Sequence, residues 1–392
     1  MKISIVILNW NGAGMLRRFL PSVLECSEGA DVIVADNGSE DDSLQVLAHD
    51  FPQVRTIVMN HNYGFAEGYN VALRQVDSDI YVLLNSDVRV TPGWLDPLVG
   101  FLEAHPQVAA VQPKIRCEWS PQYFEYAGAS GGFIDTLGYP YCRGRLMGTV
   151  ETDGGQYDES IPIFWATGAA LVIRSADYWS AGGLDGRFFA HQEEIDLCWR
   201  LRSRGRGIWC VPQSVVYHLG GGTLPQGSPR KTFLNFRNNL LLLYKNLPER
   251  RLHTVLRIRF WLDALASLQM LLTGQWGSAK AVWQARHEFA RIQREFQSSR
   301  EENLAKSVLD PIPEQSAFSL LWQYYVLRRK TYNLLPGTHI GHYAVVLPQN
   351  ACYGRPQAIT SHTDMLPGMA IWVCLSLMRN HLHPVSFSVY VI

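Results

Sequence analysis

The sequence has no paired cysteines, no long apolar run and no excess of charge of either sign. Its seven cysteines, Cys26, Cys117, Cys142, Cys198, Cys210, Cys352 and Cys374, are scattered without a CxxC pair, and their number is odd. That argues against a disulfide framework and reads as free thiols in a reducing compartment. Basic and acidic side chains number 35 each, so the formal charge is zero and no bulk field points to nucleic acid. Ahead of the tail, no uninterrupted apolar stretch reaches the roughly 18–20 residues of a bilayer-spanning helix. The opening Met1-Lys2-Ile3-Ser4-Ile5 enters a strand pattern without the charged leader and cleavage site of a signal peptide. The expected location is cytoplasmic. Gly-x-Gly-x-x-Gly is missing after the first strand, where Asn9-Trp10-Asn11-Gly12-Ala13-Gly14 stands instead, which argues against a dinucleotide-binding dehydrogenase. A nucleotidyltransferase would favour a basic, glycine-rich loop there.

What is present is 47% hydrophobic residues in a chain of 392, enough for a domain of roughly 200–250 residues plus an appendage. Apolar runs at Ile3–Leu8, Asp31–Ala35, Val54–Met59 and Ile80–Leu84 read as strands. Amphipathic segments between and after the first three, Met15–Cys26, Ser43–Phe51 and Ala66–Val76, read as helices. This alternation predicts an α/β fold with a doubly wound, mostly parallel sheet. Three strands end in polar clusters: Asn9-Trp10-Asn11, Asp36-Asn37-Gly38 and Asn85-Ser86-Asp87. Ligands of such sheets bind beyond the carboxyl ends of the strands, so the three clusters should face one crevice. Ser120–Pro162 is rich in Gly, Tyr and Pro and reads as irregular loops on the acceptor side. Ile163–Ile173 has strand character, Ser175–Ala181 and Glu193–Arg204 helical character, and Ile208–Val211 and Val215–Tyr217 read as two short strands.

Four constellations carry chemistry. Asp87, at a strand terminus, offers the carboxylate that Mg²⁺ or Mn²⁺ needs when phosphate oxygens and water complete its shell, although Asn-Ser-Asp is also ordinary turn chemistry. Phe188-Phe189-Ala190-His191-Gln192-Glu193-Glu194-Ile195-Asp196 puts three acids within four residues at a helix start. A carboxylate there can act as a general base, or simply complement the helix dipole. His218 precedes Gly220-Gly221-Gly222-Thr223; a neutral imidazole ligates Mn²⁺-type ions, glycines let backbone approach phosphate, and a lone histidine can equally be structural. Asn60 to Asn70, including Asn62, Gly64 and Asn70, leads into a helix whose N-terminus could face a diphosphate.

Taken in order, Val6-Ile7-Leu8-Asn9-Trp10-Asn11-Gly12, Val34-Ala35-Asp36-Asn37-Gly38-Ser39, Asn62-Tyr63-Gly64-Phe65-Ala66, Leu84-Asn85-Ser86-Asp87, Thr167-Gly168-Ala169 and Gly182-Gly183-Leu184-Asp185 resemble the family 2 glycosyltransferases of the GT-A fold, especially bacterial rhamnosyltransferase-like members. The resemblance covers residues 1–245 well. It implies that Asp36 recognises the nucleotide base or ribose, with Asn9, Asn11 and Asn37 lining that pocket. Asp87 would be the metal-binding acid of a DxD-type motif, degenerate here because Asn85 replaces its first Asp. That change gives His218 weight as a second metal ligand. Glu194 stands where the family has its catalytic base, Glu193 precedes it, and Asp196 follows as an orienting acid. Trp165, Thr167 and Gly168 would lie near the acceptor. The implied reaction is inverting transfer from a dTDP- or UDP-sugar, first dTDP-rhamnose, to a saccharide or lipid-linked acceptor. A non-catalytic sugar-nucleotide or glycan-binding module on the same fold is the rival reading.

The expected domains are 1–230, the catalytic unit; 231–330, a basic amphipathic helical extension; and 331–392, an atypical tail expected to be poorly ordered. The helices at Lys231–Lys245, Leu252–Leu272 and Ser278–Phe296 carry Arg237, Lys245, Arg250, Arg251, Arg257, Arg259, Lys280, Arg286, Arg291 and Arg294 among apolar residues. Such helices suit peripheral contact with an anionic membrane surface, or pack on the core with a solvated basic face.

Overall fold

Apolar side chains on both faces of a strand can be buried only if helices cover the sheet from both sides, and the first third of the chain folds that way. The computed structural model describes residues 1–220 and 228–337. Strand β1 (Ile3–Asn9) is followed by α1 (Ala13–Cys26), β2 (Asp31–Asp36), α2 (Ser43–Asp50), β3 (Arg55–Val58), α3 (Gly64–Leu73) and β4 (Ile80–Asn85). β1 pairs in parallel with both β2 and β4, and β2 in parallel with β3.

Beyond β4 the chain adds β5 (Val88–Val90), α4 (Asp96–Ala104) and β6 (Val108–Cys117), a stretch in which the sequence reading assigns no elements. Ser120–Pro162 is mostly turns and bends, as expected, but short strands order it. β7 (Gly132–Ile134), β8 (Pro140–Cys142), β9 (Arg145–Leu146) and β10 (Thr149–Val150) form a small antiparallel sheet, and β11 (Ile161–Pro162) joins the main one. Strands of two or three residues broken by glycines carry no readable period. Their order comes from burial, with Phe124, Tyr139, Tyr141 and Cys142 in the core. Gly132 permits this packing, because a Cβ there would sit 2.1 Å from the Trp165 ring.

Only the end of the apolar run Ile163–Ile173 enters a strand, β12 (Ala170–Arg174). It runs antiparallel between β4 and β6. The residues before it are apolar because they are enclosed, and their pairing is limited to one antiparallel bridge between Trp165 and Gly132 and isolated backbone bonds. After α5 (Ser175–Ser180) and α6 (Glu193–Ser203), β13 (Gly207–His218) is one continuous strand rather than two. A register shift between Val211 and Val215 against β6 produces the apparent break. The main sheet runs β11-β13-β6-β12-β4-β1-β2-β3, with β5 against β13.

Four α-helices follow: α7 (Pro229–Asn246), α8 (Glu249–Leu272), α9 (Trp276–Ile292) and α10 (Gln297–Ala305). α7 packs into the main core. Leu240, Leu241, Leu242 and Leu243 are fully buried in the main core. Two of the charges expected on a solvated face are internal as well: Lys245 is 2% exposed and Arg259 is 0% exposed. No helix among the described residues is long and apolar enough to cross a membrane. The tail from residue 338 on lies outside the described residues.

Candidate active site

The parallel register brings Asn9 opposite Asp36, and Leu8 opposite Asn85, at the carboxyl ends of β1, β2 and β4. Asn9 and Asp36 are fully buried and Asn37 nearly so. Asn9 Nδ2 donates to Asp36 Oδ2 at 3.0 Å, and the Ser39 amide donates to Asp36 Oδ1 at 2.9 Å. Asn11, at φ 51°, accepts from the Glu40 amide and donates its own amide to Ser39 Oγ. Asp36 therefore spends one lone pair of each oxygen on holding its turn and keeps others. Asn9 Oδ1 is buried and finds no partner among the described residues, an acceptor whose desolvation is uncompensated.

The Asn60–Asn70 segment is engaged differently from the expectation. Asn37 donates to Asn62 Oδ1 and to the Gly64 carbonyl, and Asn62 Oδ1 also accepts from the Gly64 amide. The amides that open α3, Phe65 and Ala66, both donate to the Phe189 carbonyl, at 2.7 and 3.2 Å. That helix N-terminus is thus occupied by protein and does not face a diphosphate. Asn70 is closed off too. Its amide donates to Glu67 and the Leu184 carbonyl, and its oxygen accepts from Tyr178 and the Leu184 amide. It clamps α3 to the 178–184 turn rather than lining the crevice.

Asp87 and His218 meet where β4 turns into β5 and where β13 ends. Nε2 of His218 lies 3.1 Å from Oδ1 of Asp87, and Nδ1 lies 3.4 Å from Oε1 of Glu125. All three residues are less than 10% exposed. Burial works against a charge on His218, but Asp87 and then Glu125 outweigh it and hold the imidazole protonated up to about 10. Glu125 had no motif to announce it. It falls in the aperiodic segment, and only its approach to His218 reveals it. No group of three or more His, Cys, Asp or Glu side chains arranged to hold a metal occurs among the described residues. The Asp87–His218 pair could take a divalent ion only once Nε2 gives up the proton it shares with Asp87. Two adjacent ligands at about 2.1 Å and a right angle stand about 3 Å apart, which is the separation found here. Diphosphate and water would complete the shell, and Glu125 behind Nδ1 would orient the ring. Gly221, Gly222 and Thr223 of the glycine run lie outside the described residues.

The acids of α6 are presented by a strained loop. Phe189 has φ 66° and ψ −61°, closed by a 2.8 Å bond from the Ala190 amide to the Phe188 carbonyl, a positive-φ γ-turn. His191 and Gln192 follow at φ 72° and 71°. Non-glycine residues hold such conformations only when their surroundings impose them, and α7 does so. Asn238 Nδ2 donates to the carbonyls of Phe188, Ala190 and His191, at 3.0, 2.8 and 2.8 Å. Arg237 reaches the Phe188 carbonyl, and Asn239 bonds Gln192 Oε1 while being held by the buried Arg259. Gly64 makes room for the loop, since a Cβ there would meet the Phe189 ring at 2.5 Å. Sequence reasoning missed this pin. The signal was available as Arg237-Asn238-Asn239, three polar residues inside a leucine-rich helix.

Glu193 is buried and Glu194 keeps partial solvent contact. Burial raises both carboxyls, Glu194 to about 7 and Glu193 well above its ordinary value with Glu194's charge adding to the effect. One carboxylate oxygen of each finds no partner among the described residues. Asp196 is different. Its oxygens are bonded by Arg200, Lys245 and Asn246, at 2.9, 2.7 and 2.9 Å. It fastens α6 to α7 in a closed ion-pair network. Glu194 connects to the Asp87 side through one turn: its Cβ lies 3.9 Å from a Cβ built on Gly168, and the next carbonyl, Ala169, accepts the Asn85 amide at 3.0 Å. Thr167 shapes that turn through Ala127 and Ala169. Trp165 is 1% exposed with its indole N–H spent on the Phe133 carbonyl, so it supports the site from inside the core and offers no surface to an acceptor.

Residues 4–156 match the family described as Glycosyl transferase family 2. The chain is 27% identical over 235 residues to the N-acetylglucosaminyl-diphospho-decaprenol L-rhamnosyltransferase of Mycobacterium tuberculosis, covering 55% of this chain and 75% of that protein. It is 28% identical over 239 residues to the pre-mycofactocin glycosyltransferase of the same species, covering 59% of this chain and 45% of that protein. Among solved structures, GalNAc-T7 with UDP, GalNAc and Mn²⁺ superposes with a TM-score of 0.50 at 16% identity, over 62% of this chain and 48% of that one. At that identity the likeness speaks for the fold, and it agrees with the GT-A expectation.

Proposed function

Starting from a chain whose residues 4–156 belong to glycosyl transferase family 2, we propose that it transfers a sugar, rhamnose first among the candidates, from a dTDP- or UDP-sugar to a saccharide or lipid-linked acceptor, with inversion and with a divalent ion. The observation that carries this reading is the convergence of an Asp87–His218 pair 3.1 Å apart with Glu194, one of whose carboxylate oxygens has no partner among the described residues, across the Thr167–Ala169 turn. The pyrimidine nucleotide, in the pocket that the resemblance gives to Asn9 and Asp36, is carried by the similarity to rhamnosyltransferase-like members. Asp36, Asn11 and Asn37 hold the loops that form this pocket.

A divalent ion, Mn²⁺ or Mg²⁺, held by Asp87 and His218, would supply positive charge against the departing nucleoside diphosphate. Glu194 accepts the proton of the acceptor hydroxyl as its oxygen bonds to the anomeric carbon and the bond to the diphosphate breaks. Glu193, kept protonated by its buried place, leaves a single negative charge on the pair. Asp196, Lys245 and Asn238 act at one remove by fixing α6 and the loop before it.

The test is a thermal-shift screen of dTDP-, UDP- and GDP-sugars with and without Mn²⁺, followed by donor hydrolysis. A ligand of the folded state raises the melting temperature. Stabilisation by a pyrimidine nucleotide sugar only in the presence of Mn²⁺, with diphosphate released by the wild type and not by Glu194→Gln, is the expected result. Binding without release in either protein would favour a sugar-nucleotide-binding module.

A further inference from the structure

We infer that the hairpin formed by α8 and α9 is a membrane-docking surface that seats its aromatic and leucine side chains in the interfacial layer of an anionic bilayer. Exposed large apolar residues are concentrated there: Phe260, Trp261, Leu268, Leu271, Leu272, Trp276 and Trp283, with Trp261 at 66% and Leu272 and Trp276 at 70%. Trp261, Leu268 and Leu272 recur at helical spacing and share one face of α8. Phe260 turns toward α9, where its ring lies 5.9 Å from that of Trp283, so the patch is continuous across both helices. Scattered exposed apolar residues need no explanation, whereas a contiguous patch of this size does.

Charge distribution selects the occupant. From Phe260 to Ala279 the only charged residue is Asp263, which is 1% exposed and ion-paired to Arg259 and Arg286. The exposed side chains on either side are cationic: Arg257, one turn before Trp261 on the same face, and Lys280 and Arg230 beyond the tip. An uncharged, tryptophan-rich apex with a basic rim matches the boundary between headgroups and acyl chains, where tryptophan and cationic side chains partition together. The hairpin lies on the surface rather than spanning, since no described helix is apolar enough to cross.

The patch also leads toward the catalytic crevice. An open cavity of about 870 Å³ between α7 and α9 is lined by Arg230, Phe233, Lys280, Trp283, His287 and Glu288, the last ion-paired to Arg291. The Arg230 guanidinium lies 5.6 Å from the ring of Phe189, which heads the loop presenting Glu193 and Glu194. Docking through the apex would bring the acceptor side of the enzyme to the lipid surface. This goes beyond the proposed reaction, being argued from residues outside its machinery.

The experiment is co-sedimentation of the full chain with vesicles of phosphatidylcholine alone or with phosphatidylglycerol, for the wild type and a Trp261→Ser/Leu272→Ser/Trp276→Ser variant. The substituted side chains are exposed, so melting temperature and donor hydrolysis should not change. The wild type should pellet with the phosphatidylglycerol vesicles and its tryptophan emission should be quenched by acyl-brominated lipid. The variant should bind weaker by roughly tenfold or more. A wild type that stays in the supernatant with both vesicle types overturns the inference. So does a dimer, seen by sedimentation velocity, that the triple substitution dissolves without altering vesicle binding.

Discussion

Replacing Glu194 by Gln separates base catalysis from every structural role of the acidic loop, because Gln keeps the size of the side chain and removes only its charge and basicity. If Glu194 takes the acceptor proton, kcat for transfer should fall by about 10²- to 10⁴-fold, the usual worth of a positioned general base, or about 3–5 kcal/mol of barrier. Glu193→Gln should be far milder, since Gln imitates the protonated acid that burial already enforces there. The wild-type rate should rise with pH through about 7, where burial places the Glu194 carboxyl, because only the ionised form accepts a proton. The same displacement predicts a stability effect of opposite sense. Between the ordinary carboxyl value of 4.5 and about 7 the folded state holds a proton that the unfolded chain has released, so wild-type stability falls as pH rises across that window. The ceiling on the loss is about 3 kcal/mol. Glu194→Gln should match the wild type at pH near 4.5 and unfold at higher denaturant near pH 8, by up to that amount. The assays are nucleoside diphosphate release with acceptor present, and urea unfolding at the two pH values. A Glu194→Gln enzyme that retains a tenth or more of wild-type kcat, with no pH-dependent gain in stability, would refute both the role and the electrostatics behind it.

Three further outcomes follow from the same geometry. Lys245→Met leaves the buried carboxylates of Asp196 and Asp185 without the ammonium that both contact at 2.7 Å, and should cost about 3–5 kcal/mol in chemical denaturation. Gly64→Ala forces a Cβ to 2.5 Å from the Phe189 ring at φ 79°, and should lower stability by about 2 kcal/mol or more while shifting the loop that carries the acids; near-neutral behaviour in thermal unfolding would contradict the packing. Glu125→Gln loosens the partner behind His218 Nδ1, and should weaken Mn²⁺ binding, measured by calorimetry with UDP present, about 10- to 100-fold.

The first four strands were readable because each is a short apolar run bounded by turn residues. The convergence of Asn9, Asp36 and Asn85 followed from topology alone. What escaped was set by contacts distant in sequence. The small sheet within 120–162 has strands too short to show alternation, and β6 lies in a stretch where no helix–strand pattern was assigned. Pattern put Asp87 and His218 on the candidate list, yet Glu125 emerges only when β13 brings the histidine to it. Trp165 and Asn70 carried chemical promise as residue types, but each is consumed by hydrogen bonds inside the fold. Lys245 and Arg259 look like surface charge on a helical wheel and are interior clamps, because α7 and α8 bury faces that their composition alone presents as basic.

The three left-handed residues ahead of Glu193 bear on how this enzyme could be altered. Glycine at His191 or Gln192 would relieve a torsional penalty of about 1–2 kcal/mol per position, so selection for heat resistance alone should find these sites early. Each such replacement would also free the backbone that aims the acidic pair. Thermostable isolates carrying glycine there are expected to be sluggish, and fast ones to retain a side chain, so durability and turnover pull against each other at a single bend.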